Sequence, residues 1–264
     1  MIFRSRSLLL ISLLTLLAAL SFASAEEPAW GDDVSAALKE AKSADKPVLV
    51  DVWAIWCVPC REMDETTYKD QKVLEAMADF IPVKVDADAK KIFIERYRID
   101  AFPTILILDS RGNEITRLLG YVDAGDLLEI LSIVDSGYAD YLASSSNQKD
   151  HEALAKLGRY FTSAGNPAEG ASCLRKALKR GKNAEPAFRE AVQLDLARAQ
   201  IATDNISGGI KLLRRLSSRA TIPDVKGQAL VTLVEAERAR GKDEAAAKAL
   251  ETLREEFPGL AENL

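Results

Sequence analysis

Histidine and cysteine are the scarce residues of this 264-residue chain: one histidine, His151, and three cysteines, Cys57, Cys60 and Cys173. With no second histidine and no cysteine beside it, His151 builds neither a histidine metal site nor a Cys–His hydrolase pair. Zinc normally takes four ligands, and only Cys173 and His151 remain to join Cys57 and Cys60, both far along the chain. No glycine-rich phosphate loop occurs, so nothing calls for a nucleotide, and neither cofactor nor metal is expected. Long apolar runs are lacking too. The run from Leu8 to Leu20 has 13 residues, short of the roughly 20 that cross a bilayer. Nor is there a strong excess of one charge: the formal balance is −5, which does not suit the chain as a whole to nucleic acid or anionic lipid.

What the N-terminus does contain is ordered. Arg4 and Arg6 precede the apolar run, and Ala23-Ser24-Ala25 follows with small residues. That is the order of a secretory signal, so residues 1–25 are expected to be cleaved after Ala25 and the protein to be periplasmic or otherwise exported. The segment holds no cysteine, so lipid attachment at the cleavage site is not expected. Its loss removes two arginines and no acid, shifting the balance from −5 to −7.

The full chain is 48% hydrophobic and 28% charged, a composition that supports packed cores and a length that suits two domains. Residues 26–137 alternate strand-like and helix-like segments. Val48 to Trp53 reads as a strand buried on both faces, and helices follow from the cysteine pair to Thr66 and from Asp70 to Phe80. Pro82 to Asp86 is a second strand and Lys90 to Tyr97 a helix. Thr104 to Leu108 and Glu114 to Leu119 form a hairpin around Ser110-Arg111-Gly112-Asn113, and a helix runs from Asp123 through Val134. This order predicts a mixed sheet with helices on both faces. The serine run within residues 138–149 reads as a linker. Residues 150–264 are helical throughout.

Trp56-Cys57-Val58-Pro59-Cys60 follows the first strand and opens a helix. A disulfide at this spacing closes so small a loop that it removes little entropy from the unfolded chain, so it is a poor staple. Two thiols in the first helical turn are instead suited to trading between dithiol and disulfide. The helix N-terminus favours the thiolate of the leading, exposed Cys57.

With Ala101-Phe102-Pro103-Thr104 and this element order, residues 30–135 resemble the thioredoxin superfamily. Asp51, Trp53, Trp56, Lys84, Pro103 and Gly120 all stand at positions of that family's pattern. The stretch from Arg61 to Tyr68 is more similar to the C-terminal domain of the DsbD family of periplasmic thiol:disulfide interchange proteins than to cytosolic thioredoxins. The resemblance implies an α/β thioredoxin fold and thiol–disulfide exchange on protein disulfides. Cys57 would attack and Cys60 resolve, while Asp51, raised in pKa by burial, would take the proton beside Lys84. Pro103 would be cis and present the substrate strand. Trp56, Val58, Pro59 and Phe102 would complete the substrate surface, with Ile55 at its rim. A proline before Cys60 points toward the reducing end of the family. Resupply of electrons would come from a membrane donor.

The helical half carries a recurring order of small and large residues close to a 34-residue template. Leu154, Leu157, Gly158, Phe161, Gly165, Gly170, Leu174 and Ala177 fall at the small and large positions of a tetratricopeptide repeat. Leu230, Leu233, Gly241, Ala246, Leu250, Leu253 and Pro258 repeat the arrangement, and Leu196, Ala197, Asp204, Gly209, Leu213 and Leu216 form a poorer copy. Three degenerate units are expected, binding a protein partner or substrate. Cys173 reads as a small buried filler, and Arg175, Lys176, Lys179 and Arg180 as a solvated helix face. A different reading makes the chain a chaperone or assembly adaptor that works through these helices, with the thioredoxin fold as scaffold.

Overall fold

The structure, a computed structural model, describes residues 28–203, 205–262 and 264; the signal segment 1–25 and Asp204 lie outside the described residues. The first part runs α1 (Val34–Ala44), β1 (Val48–Trp53), α2 (Val58–Glu65), α3 (Gln71–Met77), β2 (Ile81–Asp86), α4 (Lys91–Tyr97), β3 (Thr104–Leu108), β4 (Glu114–Leu119) and α5 (Ala124–Ser145). The strands form one sheet in the order β2-β1-β3-β4. β1 and β2 are parallel, and β1 with β3 and β3 with β4 are antiparallel.

Alternation along the strands sorts the core onto two faces. Val48, Val50, Val52, Leu106 and Leu108 pack with Ala37, Ala41 and Tyr97, which come from α1 and α4. Leu49, Ile105 and Ile107 point the other way, onto Met63, Val73, Met77, Leu127 and Leu131 of α2, α3 and α5. Central strands buried on both sides explain the nearly unbroken apolar character of β1 and β3. Asp51 has the parity of Leu49, and its register partner across β1 and β2 is Lys84. The carboxylate therefore points into the α2–α3–α5 face with an ammonium beside it.

The expected linker at 138–149 is corrected by the structure. Helix α5 continues to Ser145, because Tyr138, Tyr141 and Ser144 at three-residue spacing keep one face buried. Tyr138 stacks on Tyr141, and Tyr141 meets Tyr160 and Phe161 at 5.1 and 5.8 Å. Gly137 is a contact point, since a Cβ there would stand 2.6 Å from two carbons of the Tyr160 ring. The last serines turn their hydroxyls onto carbonyls three residues back, Ser145 to Leu142 and Ser146 to Ala143.

The second part is helical: α6 (His151–Ser163), α7 (Pro167–Arg180), α8 (Pro186–Ile201), α9 (Ile206–Arg219), α10 (Pro223–Ala239), α11 (Asp243–Glu256) and the short α12 (Pro258–Ala261). These form repeat-like helical pairs. α6 and α7 approach closely at Gly158 and Gly170, where a Cβ on Gly170 would lie 2.8 Å from the Gly158 carbonyl oxygen. Gly165 (φ 81°) and Gly241 (φ 66°) make the left-handed turns that close the first and third pairs. The two parts share a seam. Leu157, Tyr160, Phe161 and Cys173 belong to the same apolar cluster as Leu49 and Leu131. Asn166 Nδ2 donates to the Ile115 carbonyl at 3.0 Å and Tyr160 Oη donates to the Val134 carbonyl at 3.2 Å.

Candidate functional site

Cys57 caps the N-terminus of α2 and is joined to Cys60 in a disulfide, its Sγ accepting a hydrogen bond from the Cys60 N–H at 3.2 Å. Pro59 sits in the first helical turn, where its missing N–H removes no helical hydrogen bond. The loop leading in is fixed by Cys57 N–H on the Ala54 carbonyl (3.0 Å) and by Arg61 Nη1 on the Ile55 carbonyl (2.7 Å). Trp56 Nε1 donates to Asp88 Oδ2 at 3.2 Å, and its ring meets Phe102 edge-on at 5.5 Å.

The expected exposure of Cys57 is corrected. Cys57 is 3% exposed and Cys60 4%, because the disulfide is drawn into the cluster that includes Ala54, Val52 and Ile99, with Phe102 packed at its edge. What is exposed is the apolar rim: Ile55, Trp56 and Val58 are each more than half open. Pro103 is buried and the Phe102–Pro103 peptide is cis. The Pro103 carbonyl accepts from Gly120 N–H at 2.9 Å. Among the described residues, the backbone N–H and C=O of Phe102 have no hydrogen-bond partner. An unpaired peptide thus lies beside an exposed apolar rim. Leu119 and Tyr121, both exposed, flank Gly120, and Tyr121 Oη pairs with Thr66 Oγ1 at 3.2 Å.

The interior side of the site is ionic. Asp51 is 2% exposed, and Lys84 Nζ lies 3.1 Å from its Oδ2. Burial pushes the Asp51 carboxyl up to about 6, against the opposing pull of the Lys84 charge and hydrogen bond. Lys84 also donates to Asp64 Oδ1, and its ammonium stands over the rings of Trp30 and Tyr68 at 5.1 and 5.5 Å. Those rings meet edge-on at 5.0 Å. Burial first, and then the charges of Asp51 and Asp64, hold the Tyr68 phenol protonated well above its usual range. Among the described residues, Asp51 Oδ1 and Tyr68 Oη are both buried without a direct partner of ordinary hydrogen-bond geometry.

Sequence reasoning found Asp51, Lys84, Cys57 and Cys60 but not Asp64, Trp30, Tyr68 or Asp88 as parts of this site. Asp64 had a signal, standing one helical turn after Cys60. Trp30 had none, because it arrives through tertiary pairing: Gly31 N–H donates to the Pro82 carbonyl and Lys84 N–H to the Gly31 carbonyl. Cys173 lies in α7, 5% exposed, with its thiol toward Glu169 and its pKa pushed up to about 11 by burial. His151 stacks edge-on against Phe188, away from the disulfide in the second part.

Residues 34–134 match the family model described as Thioredoxin-like domain. Over 97 residues the chain is 36% identical to the thiol:disulfide interchange protein DsbD of Yersinia pestis (strain Pestoides F), a match that takes in 34% of this chain and 16% of that protein. DsbD of Escherichia coli (strain K12) is 35% identical over 99 residues, 35% of this chain and 17% of the relative. The oxidised C-terminal domain of Neisseria meningitidis DsbD, a solved structure, shares 28% identity over 38% of this chain and 95% of its own, with a TM-score of 0.34. The chain therefore spans about a sixth of the length of the full-length relatives it matches. Its first part carries a thioredoxin-like domain similar to the DsbD C-terminal domain, and its second part is helical.

Proposed function

We propose that this protein is an exported thiol–disulfide oxidoreductase that reduces disulfides in polypeptide substrates. The observation that carries the reading is the Cys57–Cys60 disulfide at the start of α2, beside an exposed apolar rim, with a buried carboxylate of pKa about 6 on the strand β1 that leads into it. In the reduced protein the Cys57 thiolate attacks a substrate disulfide, forming a mixed disulfide and releasing one substrate thiolate, which takes a proton. Cys60 then attacks Cys57 Sγ. The second substrate thiolate leaves and is protonated, while the Cys60 proton passes to Asp51. The protein ends as the disulfide and the substrate as the dithiol, two electrons having moved.

Burial suits Asp51 to this task, because a carboxyl near 6 accepts a proton from a thiol more readily than one at 3.8. Lys84 tunes it by favouring the charged form. The substrate chain lies along the unpaired peptide of Phe102 as an added strand, with Trp56, Val58, Pro59 and Pro103 around it. Reduction must be resupplied by an external dithiol donor, which the likeness to DsbD suggests is membrane-bound. The helical pairs act as tetratricopeptide-like units for a protein partner. Export rests on the order of residues 1–25, and mass measurement of the mature N-terminus from the periplasm tests it, with Glu26 expected first.

The test of the chemistry is equilibration with glutathione. A reductase is expected near the roughly −270 mV of thioredoxin, and a value of about −120 to −180 mV overturns the reductase direction. Cys60→Ala should accumulate mixed disulfides through Cys57. If Cys57→Ser abolishes insulin reduction yet keeps full function in the cell, the adaptor reading wins.

A further inference from the structure

The helical part carries a recessed basic trough that the thiol chemistry does not use. Its bottom is α10, closed by Leu230 and Leu233. One wall is α9 with Lys211 and Arg214, and the other is α11 with Lys248 and Thr252. Two cavities of about 580 and 370 Å³ make up the trough and share Arg214 and Ala245 in their linings.

Charge is the distinguishing feature. Six cationic side chains line the trough against two carboxylates, Glu237 and Glu256. Both carboxylates are already engaged. Glu237, 1% exposed, is held by Arg214 at 2.6 Å and Arg240 at 3.2 Å, and Glu256 is held by Lys226 at 2.5 Å. That leaves the ammonium groups of Lys211, Lys242 and Lys248 without an acidic partner among the described residues, although the chain as a whole carries −5. A local surplus of unpaired cations on a chain of net charge −5 is complementary to an anionic occupant.

We infer that this trough is the docking site for an acidic polypeptide segment of a partner protein. Shape selects a peptide from among anions. A bilayer surface or a nucleic-acid duplex meets the trough only along its rim, whereas a single peptide chain enters between α9 and α11. There its carboxylates reach Lys211, Lys242 and Lys248 while small apolar side chains lie against Ala245 and Ala249. The buried Glu237 serves this arrangement by fixing the guanidinium groups of Arg214 and Arg240 at one end. The inference is independent of the Cys57 and Cys60 chemistry and names the partner class for the helical part.

The experiment uses the full mature chain and a fluorescent peptide of alternating glutamate and leucine, with an alternating lysine–leucine peptide as control, followed by anisotropy. Binding of the acidic peptide alone, weakening as salt rises, is expected. The exposed pair Lys211→Glu/Lys248→Glu should weaken it about 10-fold or more, with unchanged circular dichroism and unchanged insulin reduction. The reversal Lys39→Glu/Lys72→Glu, outside the trough, should leave it unchanged. The inference is overturned if the acidic peptide fails to bind at low salt, if both peptides bind alike, or if the two reversals have equal effects. Displacement of the peptide by phosphatidylglycerol vesicles, with tighter binding to the vesicles, would also overturn it in favour of a lipid surface.

Discussion

Replacing Asp51 with asparagine should make the oxidised protein more stable at neutral pH, and the gain should shrink in acid. Asp51 is 2% exposed and its carboxyl is raised from 3.8 to about 6, with burial the largest cause. A raised acid pKa means that the folded state holds the proton more tightly than the unfolded state does. The ionised carboxylate therefore costs stability above about pH 6, and the cost fades as pH falls through 6 toward 3.8. With about 1.4 kcal/mol per pKa unit, the cost is about 3 kcal/mol at about pH 7 and about 1 kcal/mol at about pH 4.5. Asp51→Asn removes the ionisation while keeping the shape, and Lys84 retains Asp64 as its counter-ion. Urea unfolding followed by tryptophan fluorescence is the assay, because Trp30, Trp53 and Trp56 all lie in the thioredoxin-like part. The variant should exceed the parent by up to about 3 kcal/mol at neutral pH, and the gap should narrow by about 2 kcal/mol in the acid buffer. A variant less stable than the parent at neutral pH, or a gap that does not change with pH, refutes the assignment of Asp51 as a strained buried acid. In the same variant, release of the mixed disulfide by Cys60 should slow, since the acceptor proposed for its proton is gone.

Lys84→Met removes the charge that opposes burial, so the pH at which the gap between Asp51→Asn and its parent levels off should move upward from about 6 when measured in that background. Trp30→Ala takes a ring from both Lys84 and Tyr68 and should cost about 2 kcal/mol in urea unfolding. Tyr141→Phe deletes one of four hydrogen bonds to the Asp109 carboxylate, the others coming from Arg111 N–H, Asn113 N–H and Asn113 Nδ2. A loss of about 1 kcal/mol in calorimetry is expected there. Gly137→Ala gains helix propensity but drives a methyl into the Tyr160 ring. A net loss of about 1–2 kcal/mol is expected, where a surface helix position would show a gain of about 1 kcal/mol.

The parts of this molecule that were legible in its sequence are those set by short-range pattern. Val48 to Trp53 reads as a central strand because both its faces are buried, and Pro59 beside Cys60 marks a first helical turn. Asp51 stands out because a carboxylate in such a strand has no water to face. Helix α5 was misread for the opposite reason. Gly137 and the serines at 144–146 carry the chemistry of a break. In the folded chain, however, the glycine makes room for Tyr160, and Ser145 and Ser146 bond to their own helix carbonyls. The Tyr160 contact depends on α6, and no local pattern reports a neighbour supplied by another segment. Trp30 was hidden in the same way, since it reaches Lys84 only through the Gly31 pairing with β2. The burial of Cys57 was missed because exposure was inferred from its place at a helix start, whereas the disulfide and the Phe102 edge decide it.

The two sides of the site have opposite character, and under the proposed exchange that division matters. The outer side is apolar: Ile55, Trp56 and Val58 are exposed beside the unpaired peptide of Phe102. A polypeptide seated there covers the disulfide and excludes water from it, so a proton taken up by Asp51 has no exit on that side. The inner side stays ionic and reaches solvent. Lys84 touches Asp51 with its side chain 20% exposed, and Asp64, which Lys84 also holds, is 44% exposed. Asp51 can therefore exchange its proton through the Lys84–Asp64 pair while substrate occupies the rim. Because Asp64 is a single helical turn from Cys60, the helix that carries the sulfurs also carries the group that opens this path. Neutralising it with Asp64→Asn should slow reoxidation of the protein at neutral pH more than in acid, where Asp51 is already protonated in both forms.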